Sequence, residues 1–228
     1  MSWSAAILAG GHARRLGGQD KRALSIDGAR ILERQLAALA PLTSKVVCIG
    51  GGDIAFPQAR DVAPVPRVDD LMPGYGALGG LYTALATAAT DRILVLACDL
   101  PFVTTPFLEF LLRLDPHAMA VIPAPGAAGP SAELTFGPTC SQPLCAVYQH
   151  TAAAILRDAL ESGQRRVRQA VHRLNPRYVL DADIRPYDID GRLLWNVNTP
   201  DDLAQASAFE ADGRHRTAAF RTSQTATR

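Results

Sequence analysis

Leu8-Ala9-Gly10-Gly11-His12-Ala13-Arg14-Arg15-Leu16-Gly17-Gly18-Gln19-Asp20-Lys21 follows directly on the apolar run Ala5–Leu8. Four glycines, two arginines and a lysine share this one stretch. Glycine lets backbone N–H groups crowd round an anion with no Cβ in the way. Arg and Lys add charge that does not vary with pH near neutrality. The spacing contains neither GxGxxG nor GxxxxGK[ST], which excludes a dinucleotide fingerprint and a Walker A loop. Two readings remain: a basic surface loop, or a cradle for a polyphosphate at the end of a buried strand.

Working outward, apolar runs alternate with helical patterns. Strands are expected over residues 4–8, 45–49, 63–68, 92–97, 118–122, 144–148, 177–180 and 193–197. Helices are expected over 30–40, 79–89, from Thr105-Pro106 onward, from Thr151 to Leu160, over 164–174, and from Thr199-Pro200-Asp201-Asp202. Ile31, Leu32, Gln35, Leu36 and Leu39 give the first helix its stripe, and Pro41 ends it. Ile93-Leu94-Val95-Leu96 is apolar throughout, as a strand covered by helices on both faces requires. The alternation predicts an α/β fold, three-layered and Rossmann-like, with a mostly parallel sheet. Ligands in such folds bind outside the carboxyl ends of the strands. The loops at 9–21, 69–80 and 98–101 all fall there.

At 228 residues the chain fits one domain, residues 1–211, with a Thr-, Ala- and Arg-rich tail over 212–228 that reads as disordered. A net charge of +1 gives no global field for nucleic acid or anionic lipid. No apolar run approaches the roughly 20 residues that span a bilayer, and no signal peptide pattern opens the chain. A cytoplasmic location without membrane or nucleic-acid partners is expected. Cys48 and Cys98 read as small core hydrophobes, and Cys140 and Cys145 lack a second ligand pair for a metal.

Several side chains stand out within the loops. Asp99, just past the central apolar strand, suits a hard-oxygen ligand for Mg²⁺ held together with phosphates, or else a turn cap. Asp69 and Asp70 precede Pro73-Gly74-Tyr75-Gly76-Ala77-Leu78-Gly79-Gly80, where close approach of a base or ribose is open; a solvated acidic turn is the alternative. Asn196-Val197-Asn198 puts two amides on one side of an extended segment, either for polar recognition or to cap the next helix. Arg165, Arg168 and His172 share a helical face that could meet a phosphate, an acidic partner or only water. No Ser/His/Asp set is apparent, which argues against covalent hydrolysis.

LAGGHARRLGGQDK, GALGG at 76–80, CDLP at 98–101, GQRRV at 163–167 and NVNTPDDL at 196–203 together resemble the bacterial molybdenum cofactor guanylyltransferases. The resemblance implies a nucleotidyltransferase fold, with GTP and molybdenum-bound molybdopterin as substrates and Mg²⁺ as cofactor. It implies that Leu8, Ala9, Gly10, Gly11 and Gly76 line the nucleotide site, with Asp70 also on the nucleotide. It implies Lys21 and Arg15 on the phosphates, Asp99 as metal ligand, and Asn196 and Asn198 at the molybdopterin end. It also implies handoff of a labile product between cofactor synthesis proteins and apo-molybdoenzymes. LAGG and the LGG after Gly76 favour guanine; related cytidylyltransferases tend toward TAAG and a Ser-rich second loop. The family often has Asn after its second strand, where Gly50-Gly51-Gly52 stands here. The alternatives are a molybdenum cofactor cytidylyltransferase, a sugar-phosphate nucleotidyltransferase, or a non-enzymatic cofactor carrier.

Overall fold

The computed structural model describes residues 2–10, 24–50, 65–126 and 140–209. The chain runs β1 (Trp3–Leu8), β2 (Ser25–Ile26), β3 (Ala29–Arg30), α1 (Ile31–Leu39), β4 (Val46–Ile49), β5 (Arg67–Val68), α2 (Gly76–Ala86) and β6 (Arg92–Ala97). It continues through α3 (Thr105–Leu114), β7 (Ala120–Ala124), β8 (Cys145–Gln149), α4 (Ala152–Glu161), α5 (Val167–His172), β9 (Arg177–Leu180) and α6 (Asp181–Ile184). Residues 200–209 form a last helix, α7. The expectations for Gly11, Arg15 and Lys21, and for the tail over 212–228, lie outside the described residues.

A seven-stranded sheet has the order β5-β4-β1-β6-β8-β7-β9. β4, β1, β6 and β5 pair in parallel, as do β7 and β9; β8 alone is antiparallel to its neighbours β6 and β7. The expected mostly parallel sheet is thus present with one reversed strand. That reversal brings the start of β8, not its end, to the edge where the other strands finish: the Ala97 N–H donates to the Leu144 carbonyl at 2.7 Å.

Side chains alternate across β6, so Leu94 and Leu96 pack with Leu32, Leu39, Phe107 and Leu111 on one face. Ile93 and Val95 pack with Leu81, Leu85, Leu156, Leu160 and Val171 on the other. A helix layer on each side of a sheet is the three-layer arrangement. Burying a leucine-sized side chain contributes about 1.5–3 kcal/mol, so these two cores carry most of the drive to fold. Leu24, Ile26, Ile31, Val197 and Ala206 form a smaller third core, which fastens the β2–β3 hairpin and α7 to the sheet edge.

Some boundaries differ from expectation. α2 begins three residues earlier than the pattern suggested, at Gly76, and stops at Ala86. The cap of α3 is Thr104, while the Thr105 hydroxyl donates to the Ala38 carbonyl at 2.8 Å. The basic helix is confined to Val167–His172. Residues 193–197 join no ladder; Val197 is fully buried and its N–H donates to the Asp99 carbonyl at 2.8 Å, so burial without a strand partner produced the strand-like pattern. The β2–β3 hairpin turns through Asp27 and Gly28, both at positive φ (55° and 78°). Such a pair is the residue choice for a two-residue hairpin turn.

Candidate active site

β1, β4 and β6 end side by side, and their ends are hydrogen-bonded together. The Ala9 N–H donates to the Ile49 carbonyl at 2.9 Å, and the Cys98 N–H donates to the Leu8 carbonyl at 3.3 Å. Leu8 and Ala9 are buried, and the chain emerges at Gly10, which is exposed. Gly50 meets it there at φ +73°, and a Cβ on Gly50 would stand 3.2 Å from the Gly10 Cα. Glycine, found where the family often has Asn, suits both the positive φ and the close approach of the chain at Gly10.

Asp70 sits just past β5 and is half-buried. Its Oδ1 accepts the Met72 N–H at 2.9 Å. The Thr83 hydroxyl lies between Asp70 Oδ1 (3.0 Å) and the Gly79 carbonyl (2.9 Å), and accepts the Leu71 N–H at 3.0 Å. Thr83 is fully buried on α2, so one hydroxyl fixes the acidic loop to the helix. The neighbouring Asp69 instead pairs with Arg67 at 2.9 Å and is largely solvent-facing. The loop over 70–75 and α2 pack closely: a Cβ on Gly79 would meet the Met72 carbonyl oxygen at 2.6 Å. Gly76 opens α2, whose amino-terminal peptide dipoles present partial positive charge at this same edge.

Asp99 occupies the turn after β6 and is half-buried. Gln35 of α1 holds that turn from beneath. Its Nε2 donates to the Ala97 carbonyl at 2.7 Å and the Leu100 carbonyl at 3.1 Å, on either side of Asp99. Gln35 is fully buried, and its Oε1 has no hydrogen-bond partner among the described residues. A buried polar atom left so is costly, and pinning this turn is what the residue provides in return. From the other side, Asn196 Nδ2 donates to Asp99 Oδ1 at 2.9 Å. Phe102 and Trp195 stack with centroids 5.9 Å apart, tying the turn to the Asn196 segment a second time.

Asn196 and Asn198 are both half-buried with Val197 buried between them, as the alternation required. The Asn196 side chain is engaged by Asp99 and Gln142 and not by the following helix. Thr199 and Asp202 form the reciprocal cap of α7, with the Thr199 N–H on Asp202 Oδ2 (2.9 Å) and the Asp202 N–H on Thr199 Oγ1 (3.1 Å). The Asn198 main-chain N–H joins the same carboxylate at 2.9 Å.

The basic patch divides. The Arg165 guanidinium lies over the Tyr75 ring at 4.7 Å and donates to the Gly74 carbonyl at 2.8 Å; Arg168 Nε donates to the Ser141 carbonyl at 3.2 Å. These arginines fasten loops at the rim of the site. The sequence placed Gln35 only in a helical stripe and gave Thr83 and Gln142 no role. Gln35 had a signal, a polar residue inside an apolar helical stripe; Thr83 and Gln142 had none. A cleft of about 830 Å³ lined by Thr90, Asp91, His117 and His150 lies at the opposite edge of the sheet, remote from all of these residues.

The described residues therefore gather Leu8, Ala9, Gly10, Asp70, Gly76, Asp99 and Asn196 along the carboxyl edge of the sheet. A model of the MobA-like NTP transferase domain matches residues 5–176. The chain belongs to this family. It is accordingly a nucleotidyltransferase. A protein of Chloroflexus aggregans named a probable molybdenum cofactor guanylyltransferase is 37% identical over 219 residues, covering 92% of this chain and 95% of that one. The crystal structure of molybdopterin-guanine dinucleotide biosynthesis protein A from Archaeoglobus fulgidus superposes with a TM-score of 0.71 at 28% identity, covering 92% of this chain and 99% of that one. The 2-C-methyl-D-erythritol 4-phosphate cytidylyltransferase of Thermus thermophilus shares the fold, with a TM-score of 0.62 at 16% identity over 90% of this chain and 98% of that one. Among the described residues of this MobA-like transferase, no helix is long and apolar enough to cross a membrane.

Proposed function

We propose that this chain is a molybdenum cofactor guanylyltransferase, which transfers GMP from GTP to molybdenum-bound molybdopterin and releases pyrophosphate. One observation carries the reading: the Asn196 amide touches the Asp99 carboxylate, so the residue read as the acceptor end and the residue read as the triphosphate end form one hydrogen-bonded unit. The kinship with the Chloroflexus aggregans protein over nearly the full length of both chains supports guanine as the base.

In the reaction a terminal phosphate oxygen of molybdopterin attacks the α-phosphorus of GTP in line. The new P–O bond forms as the bond to the β-phosphate bridging oxygen breaks, and that oxygen leaves with pyrophosphate. Such transfers rest on positioning and charge neutralisation more than on a protein nucleophile. The backbone at Leu8, Ala9 and Gly10 and the amino end of α2 would receive the nucleotide, with Asp70 on its base or ribose. Gly11, Arg15 and Lys21 enter by motif alone, as donors to the leaving phosphates.

Asp99 is the residue that would hold Mg²⁺. Among the described residues no group of three or more His, Cys, Asp or Glu side chains converges on a metal. One carboxylate with phosphate oxygens completing the shell is how Mg²⁺ is commonly held, so the donor set fits. Bound there, the ion would neutralise phosphate charge. Asn196 and Asn198 would meet molybdopterin. Work in the cytoplasm, and passage of the labile product from cofactor synthesis proteins to apo-molybdoenzymes, belong to the same reading.

The test is pyrophosphate release with molybdenum-bound molybdopterin and GTP, CTP, UTP or ATP in turn, beside a thermal-shift panel of the same nucleotides with Mg²⁺. Turnover with GTP alone is expected. Preference for CTP would move the chain to the cytidylyltransferases. Nucleotide binding without pyrophosphate release would make it a carrier.

A further inference from the structure

Gln142 stands three residues before β8, at a position to which the sequence assigned no role. Its main chain is fixed on both sides: its N–H donates to the Pro123 carbonyl at 2.8 Å, and its carbonyl accepts the Cys145 N–H at 3.0 Å. From that anchored position the side chain reaches across to the segment before α7. Nε2 donates to the Leu194 carbonyl at 3.3 Å and to Asn196 Oδ1 at 3.0 Å. Asn196 Nδ2 in turn donates to Asp99 Oδ1 at 2.9 Å.

The direction of this chain of hydrogen bonds is fixed by its ends. The two ends of a carboxamide are nearly equal in shape, so only the partners decide which way it points. The Leu194 carbonyl can only accept, so it must face the nitrogen of Gln142. That nitrogen lies against Asn196, which must therefore present its oxygen. The Asn196 nitrogen is then left for Asp99, whose ionised carboxylate can only accept. Turning the Asn196 amide over would set its oxygen against the carboxylate and its nitrogen against the Gln142 nitrogen, replacing two attractions with two repulsions.

We propose that Gln142 is a positioning residue, which locks the amide of Asn196 so that its N–H₂ end holds the Asp99 carboxylate in its working orientation. The inference rests on the guanylyltransferase reading for its consequence in turnover, while the relay itself is a property of the unliganded protein. Gln142→Met keeps the length and both main-chain bonds but removes the donor. Gln142→Glu keeps the shape and sets an acceptor against two acceptors.

The experiment measures kcat and KM for pyrophosphate release from GTP and molybdenum-bound molybdopterin in wild type, Gln142→Met, Asn196→Ala and the double variant. Gln142→Met is expected to lower kcat about tenfold, the effect of one hydrogen bond of ordinary net strength, with KM for GTP unchanged within about twofold. In the Asn196→Ala background the same substitution is expected to cost nothing further, because residues that act through one another are non-additive. If Gln142→Met does not fold, Gln142→Glu takes its place in the cycle. Full additivity, or an unchanged kcat, overturns the relay and leaves the guanylyltransferase reading standing. Should the wild type release no pyrophosphate, that reading fails instead. The relay is then decided by NMR exchange of the Asn196 side-chain amide protons without substrate: about tenfold slower in wild type than in Gln142→Met supports it, and equal rates overturn it.

Discussion

Alanine at Gly79 and alanine at Gly80 should move this protein in opposite directions, although the residues are neighbours in one helix. A Cβ on Gly79 would lie 2.6 Å from the Met72 carbonyl oxygen and 3.2 Å from both Asp70 carboxylate oxygens. Ordinary contact starts near 3.4 Å, so the helix and the loop over 70–75 must separate by about 0.8 Å, the difference of those two distances. Forced separations of this kind cost about 1–3 kcal/mol, offset in part by a helix-propensity gain of up to about 1 kcal/mol. A Cβ on Gly80 instead finds Leu8 and Ile49 methyl carbons at 3.8–4.0 Å, an unstrained fit that keeps the propensity gain. Urea unfolding is expected to show Gly79→Ala about 1–2 kcal/mol less stable than wild type and Gly80→Ala about 0.5–1 kcal/mol more stable, with m-values unchanged. KM for GTP should rise in Gly79→Ala, because the displaced group is the Asp70 carboxylate. If both variants shift stability in the same direction, the packing argument for this loop is wrong.

Further outcomes follow from other contacts of the site and core. Asp99→Asn retains an acceptor for Asn196 Nδ2 but loses the charge, so it should fold normally and lose about 10²–10³ in turnover; near-normal rates at saturating Mg²⁺ would refute the assignment. Gln35→Leu leaves the Ala97 and Leu100 carbonyls without their donor, and thermal unfolding should register a loss of about 1–3 kcal/mol. Burial pushes the Cys145 thiol up from its usual 9 to about 12 and the Tyr148 phenol well above its usual 10. Above about pH 9 the unfolded chain then holds fewer protons than the native one, and stability should fall by up to about 1.4 kcal/mol per pH unit for each group that titrates. Tyr148→Phe should cost about 1 kcal/mol at pH 7, because the phenol donates to the Pro143 carbonyl at 2.6 Å. The same variant should flatten the decline measured by urea unfolding above pH 10, and an unaltered slope would count against the buried phenol as its source.

Ile93-Leu94-Val95-Leu96 announced a doubly covered strand because nothing but burial on both faces sustains such a run, and the structure places it mid-sheet between β1 and β8. The reversal of β8 was hidden, since side-chain alternation is the same for either strand direction. The hairpin through Asp27-Gly28 was legible and went unread. Asp99, Asp70 and Asn196 could be singled out as candidates because loop chemistry is local. Their supports could not: Gln35 stands 62 residues before the Ala97 carbonyl it holds, and Gln142 stands 54 before Asn196. Contacts that distant are created by topology, and no spacing rule in one sequence encodes them.

The backward run of β8 has a consequence for how this enzyme can change over time. Ala124 and Cys145 both stand at the carboxyl edge of the sheet, and the Gln142 N–H on the Pro123 carbonyl closes the gap between them. Residues added above that clasp need not traverse the sheet, so they leave every strand's register untouched. Doubling the length of such a segment costs only about 0.6 kcal/mol in closure entropy. The clasp thus lets the chain between those two strands change in length without renegotiating the fold.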